Sequence, residues 1–176
     1  TYLRTVQHKL NLDTADYSLL EGIGEMNAML TKVHAIGSSD GLPIYDSRVA
    51  GAIACLIELY FIRNDPGRAC LPSTLTFKST DSAERRQVTG LVSTKRIPGI
   101  ITRLVSESGK KQRAIDWSSA KIRLGWLMDA ILEKEDTSQN SIFSAEIIHA
   151  GKAMHAFEAA LFMIGFDVSC LRPNIA

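Results

Sequence analysis

Three features of the chain have residue types and spacings suited to chemistry. The first is a glycine pair, Gly22 and Gly24, ahead of a helix-forming stretch. Glycines in such a turn allow positive φ, and the amides opening the next helix can then hold a phosphate oxygen. The second is Asp46, which with Ser47 precedes an apolar run; a short carboxylate there reaches the first unbonded amides of a helix. The third is charge. Residues 1–77 carry six Lys/Arg against eight Asp/Glu, residues 78–123 eleven against four, and residues 124–176 three against seven. The formal charge of +1 thus conceals segments of −2, +7 and −4. The basic segment holds Lys78, Arg85, Arg86, Lys95, Arg96, Arg103, Lys110, Lys111, Arg113, Lys121 and Arg123. Cations gathered on one face neutralise phosphates and release counterions, so this segment is a candidate nucleic-acid surface; a solvated basic loop is the plain alternative.

Other chemistries are set aside by residue type. Cys55, Cys70 and Cys170 are widely spaced and contain no Cys-x-x-Cys pair, which argues against a disulfide framework, a zinc site or an iron–sulfur cluster and for a reducing compartment. Glu146-x-x-His149 and His155-x-x-Glu158 have spacings known from metal sites in helix bundles, but no second Glu-x-x-His occurs and the two histidines lie well apart around a helix. No metal or cofactor is expected. Serine and cysteine nucleophile motifs are absent, as is a phosphate loop, and Gly22-x-Gly24 lacks the third glycine and preceding strand of a dinucleotide site.

The positioning elements read as helices. Asp13 or Thr14 caps a short helix over residues 15–20, and a second runs from about Glu25 to Ala35. After the Gly37–Pro43 loop, a long apolar helix spans about Val49 to Ile62, with Val49, Ile53, Leu56, Ile57 and Tyr60 on one stripe. Residues 63–117 show no sustained period and read as a basic, mostly irregular segment. A helix from about Ser118 to Glu135 places Ala120, Leu124, Leu127, Met128 and Ile131 on one face, with Trp126 off it. The last helix, about Ser144 to Ile164, ends apolar all round and closes on Gly165 as a C′ residue. The fold class expected is all-α, one domain over residues 1–176, with parts at about 13–62, 63–117 and 118–165. No apolar run reaches the roughly 18 residues of a membrane span, and no secretory signal is read, so a cytoplasmic, non-membrane protein is expected.

Leu20-Glu21-Gly22-Ile23-Gly24-Glu25-Met26-Asn27-Ala28 resembles the hairpin of the helix-hairpin-helix family: hydrophobic, any residue, Gly, hydrophobic, Gly, three variable residues, Ala. Twenty residues after Met26 stands Tyr45-Asp46-Ser47-Arg48-Val49, similar to the aspartate that opens a long helix in the glycosylase branch of that superfamily. The pair of elements is similar to helix-hairpin-helix DNA glycosylases, and its Tyr-Asp-Ser-Arg-Val form looks most like the 8-oxoguanine-DNA-glycosylase-like branch. The two elements cover roughly residues 19 to 57, less than a quarter of the chain.

The resemblance implies double-stranded DNA as partner and Asp46 as the catalytic carboxylate, stabilising an oxocarbenium-like sugar or activating water. It implies backbone contacts from Gly22, Gly24, Lys32 and Arg48 beside Arg85, Arg86, Lys110 and Lys111. A flipped base would stack in a pocket drawn from Tyr45, Met26, Trp117 and Trp126. Two departures matter. Where bifunctional relatives carry a nucleophilic lysine this chain has Met26, so strand cleavage through a Schiff base is not expected. Fewer residues precede the hairpin than the fold usually places there. The alternative is a non-catalytic helical binding protein in which Asp46 is only a cap and Met26 only core.

Overall fold

The computed structural model describes residues 2–78, 107–136 and 152–171. Among these the fold is all-α: six α-helices, two 3-10 turns and no strand. The helices are α1 (Tyr2–Lys9), α2 (Tyr17–Leu20), α3 (Ala28–Ile36), α4 (Ser47–Asn64), α5 (Glu107–Asp136) and α6 (Ala153–Ile164); the turns are Ser73–Leu75 and Val168–Leu171. No described helix is long and apolar enough to cross a membrane. The chain divides into two compact units, Thr1–Tyr45 with Leu104–Ala160, and Asp46–Arg103 with Leu161–Ala176.

In the first unit α2 packs against α5. Asp16, in extended backbone, caps α2 by accepting from the Ser18 amide. The residues linking α2 to α3 bury Ile23 and Met26 and expose Gly22 and Gly24. The second helix of this pair was expected from Glu25 but begins at Ala28, because Asn27 takes an extended conformation and its side chain accepts from the amides of Met29 and Leu30. Neither Gly22 nor Gly24 has positive φ; the one described residue that does is Gly41, at 75°. The link is closed instead by a distant side chain. The Tyr2 hydroxyl donates to the Glu25 carbonyl at 2.7 Å and accepts from the Glu25 amide at 2.8 Å.

Helix α5 starts eleven residues before the expected Ser118, so residues 107–117 are helical rather than irregular. Its first turns are rich in Lys, Gln and Arg, which have good helix propensity but leave no apolar period to read. Ala114, Trp117, Lys121, Leu124 and Met128 are buried at alternating steps of three and four, with Ser118 buried beside them, so two polar residues interrupt the apolar stripe.

In the second unit every residue from Val49 to Cys55 is buried, so α4 is enclosed on all sides along the stretch that follows Ser47 and Arg48. The helix then surfaces: Tyr60, expected on the buried stripe, is 61% exposed and meets the Phe61 ring edge-on. Helix α4 packs against the Val168–Leu171 turn. Residues 144–151, expected to begin the last helix, lie outside the described residues. The end of α6 is not buried all round, since Met163 is 72% exposed while Leu161 is buried. Gly165 follows α6 as expected but without the left-handed conformation of a C′ glycine. Its reason is close approach: a Cβ there would overlap the backbone of Arg48.

Candidate functional site

Asp46 is the N-cap of α4. In extended backbone (φ −119°, ψ −175°), its Oδ1 accepts from the amides of Arg48 at 3.0 Å and Val49 at 3.1 Å. Both partners are amides that a helix start leaves without an internal acceptor, and the helix dipole favours negative charge there. The residue is only 6% exposed. Two residues on, the Arg48 guanidinium lies over the Phe162 ring, 4.4 Å from its centroid, and over the Phe166 ring, 5.1 Å from its centroid. Phe166 is 48% exposed.

The residues expected to form a base pocket fall in the first unit, and the structure brings two of them together as packing. Tyr45 is fully buried, Trp117 is buried, and their rings meet edge-on with centroids 5.8 Å apart. Burial pushes the Tyr45 phenol above its ordinary value, with Arg123 acting in the opposite sense. Met26 is buried as well. Trp126 is part-buried: its Nε1 donates to the Leu12 carbonyl at 3.0 Å and its ring meets Tyr17 edge-on.

Between these aromatic contacts lies a residue that sequence reasoning placed among the surface cations. Lys121 on α5 is completely buried; its Nζ donates to the Thr31 carbonyl at 2.9 Å and to the Pro43 carbonyl. Burial lowers its ammonium to about 7, while Glu158 and Asp40 act the other way. The neighbouring polar contacts converge on the same strip of chain. Thr31 Oγ1 donates to the carbonyls of Ala28 and Tyr45, and Glu158 Oε2 accepts from the Ile44 amide at 3.3 Å. Residues 43–45 are therefore held from α3, α5 and α6 by side chains that satisfy their backbone. His34, also buried, places Nδ1 2.8 Å from Gln7 Oε1, and its Nε2 has no hydrogen-bond partner among the described residues. Burial first, then Lys121, lowers its pKa.

The expected backbone contacts are dispersed. Gly22, Gly24, Lys110 and Lys111 are exposed, Lys32 is part-buried, and Arg85 and Arg86 lie outside the described residues. The Met29 and Leu30 amides at the start of α3 already bond Asn27. Lys121, and in part Arg123, whose Nε donates to the Ser119 carbonyl, point the basic segment inward as well as outward. His155 is exposed, Glu158 bonds Ile44, and Glu146 and His149 lie outside the described residues; no group of three metal-binding side chains occurs among those described. A cleft of about 490 Å³ opens in the first unit between Arg4, Gln7 and His8 of α1 and the Gly37–Asp40 loop. No sequence signal marked it, because the residues around it are ordinary surface types with no motif among them.

Comparison with known proteins returns no matching family model, no matching curated protein and no matching solved structure.

Proposed function

We propose that this chain is a cytoplasmic protein that binds double-stranded DNA and resembles a monofunctional DNA glycosylase, with Asp46 as the carboxylate that releases a damaged base. The observation that carries the reading is the position of Asp46: an N-cap whose Oδ1 takes two main-chain amides, twenty residues after Met26. A carboxylate fixed in that way needs no reorganisation to face positive charge developing on a sugar, which is how preorganised electrostatics lower a barrier. Met26 supplies no amine, so hydrolysis rather than strand cleavage is the chemistry proposed. The three cysteines are free, which suits a reducing compartment.

A second reading is favoured by one specific observation. Asp46 is 6% exposed and the Tyr45 and Trp117 rings are spent on each other, the arrangement of a non-catalytic binding protein in which the aspartate is a cap. A panel of duplexes, each carrying one damaged base, separates the two. The first reading expects abasic sites from the wild-type protein and none from Asp46→Asn, with no borohydride-trapped adduct in either. Wild-type protein inert on every lesion, or an Asn variant as active as wild type, assigns the chain to the second.

A further inference from the structure

The cleft of the first unit lies between α1 and the loop after α3, and its hydrogen-bonding sense follows from which side-chain atoms the protein already uses. Arg4 and His8 stand one turn apart on α1, and Gln7 and Asn11, four residues apart, border the same cleft. Both amide side chains have their oxygens engaged internally. Asn11 Oδ1 accepts from the Thr14 amide at 3.2 Å and from the Thr14 hydroxyl at 3.1 Å. Gln7 Oε1 lies 2.8 Å from His34 Nδ1. Burial favours the neutral His34 ring, which carries one N–H, and its Nε2 has no partner among the described residues. A bare buried lone pair costs less than a bare buried N–H, so the proton sits on Nδ1 and Gln7 Oε1 is the acceptor. What Gln7 and Asn11 leave over is therefore their NH2 groups, which make no hydrogen bond among the described residues.

The charges in the cleft divide in the same sense. Asp40 borders it, but its oxygens accept from the Leu12 amide at 2.6 Å, the Leu42 amide at 3.3 Å and the Ser38 hydroxyl. Arg4 is exposed and forms no ion pair among the described residues. We propose that this cleft binds a small molecule through a carboxylate or phosphate group, the Arg4 guanidinium taking two of its oxygens side by side and the Gln7 and Asn11 amides donating to the same oxyanion. Its volume of about 490 Å³ is that of a small-molecule site. His34 is a positioning residue, holding the Gln7 amide with its nitrogen free for the ligand. The site goes beyond base excision and does not rest on it.

The test is a nitrogen-15 NMR titration of the whole chain with inorganic phosphate, with succinate and with sodium chloride at matched ionic strength. The side-chain NH2 signals of Gln7 and Asn11 are identified by their loss in Gln7→Glu and Asn11→Asp, which keep the oxygens that His34 and Thr14 use. Phosphate or succinate moves both signals saturably and chloride does not; whichever anion saturates names the group recognised. Arg4→Gln and Asn11→Asp, each with an otherwise unchanged spectrum, weaken binding roughly ten-fold or more, as loss of a charge-assisted hydrogen bond should. Arg63→Gln, which removes the same charge from an exposed position on α4, leaves binding unchanged. Shifts that track ionic strength alone, or a folded Arg4→Gln protein with wild-type affinity, overturn the proposal. Duplex DNA that moves the same two signals puts a backbone phosphate there and overturns the small-molecule assignment. Failure of any of these leaves base release from lesion duplexes to be judged by its own assay.

Discussion

Tyr45 and Trp117 meet at 89° between ring planes, the edge of one against the face of the other, both shut away from solvent. This is the geometry that aromatic quadrupoles favour in a core. Trp117→Ala should cost about 3–5 kcal/mol, the cost of emptying a large aromatic site that cannot fully collapse. Urea unfolding followed by circular dichroism measures it. A variant within about 1 kcal/mol of wild type would show that the ring carries little of the packing.

Lys121 makes stability depend on pH in a stated direction. Its ammonium is lowered by burial to about 7 in the folded chain, against an ordinary value of 10.5. Between those values the unfolded chain binds more protons than the folded one, so stability rises as pH rises from about 7 to about 10.5 and falls as pH returns. The rise should be on the order of a few kcal/mol. Lys121→Met removes this rise and leaves the carbonyls of Thr31 and Pro43 without their donor. Thermal melts of both proteins across that window, showing the same slope, would contradict the assignment.

Two glycine substitutions should differ in outcome. Gly165→Ala forces a methyl into the Arg48 backbone and is expected to cost about 3 kcal/mol. Gly24→Ala meets nothing within 4 Å and needs no positive φ, so it should be neutral or stabilising by up to about 1 kcal/mol. Differential scanning calorimetry of the pair decides it, and equal melting temperatures would count against the close approach at Gly165.

Asp46→Ala removes the cap of α4 and should cost about 1–2 kcal/mol, whereas Asp46→Asn keeps an acceptor for the Arg48 and Val49 amides and should lie within a few tenths of wild type. Denaturant midpoints provide the check. An Asn variant as destabilised as the Ala variant would mean that charge, and not the hydrogen bonds, holds the helix start.

How much of this was legible in the residues follows from whether the deciding partner is local. The start of α4 was readable, because Asp46 bonds amides two and three residues away. The separation of α2 from α3 was readable for the same reason, though Asn27 moved the second start to Ala28. Helix α1 gave no signal, since it is only eight residues long and only Val6 among them is buried. The first half of α5 was hidden by its charge. Lys121 was illegible as a core residue: its partners are carbonyls 90 and 78 residues away, and nothing near it in sequence distinguishes it from Lys110 or Lys111. The burial of Tyr45 and Trp117 was hidden in the same way, for aromatic type is visible in a sequence and ring exposure is not. The contact of Phe166 was hidden because its cation, Arg48, stands more than a hundred positions earlier.

The bare backbone at Gly165 also bears on how distant kin can be recognised. Any chain that carries a side chain at the corresponding place must space the end of its last helix differently from the start of its aspartate-capped one. A glycine one residue after a helix and one before a phenylalanine, paired with Asp-Ser-Arg far upstream, is thus a two-part signature. It can sort candidates whose overall likeness is too faint to align.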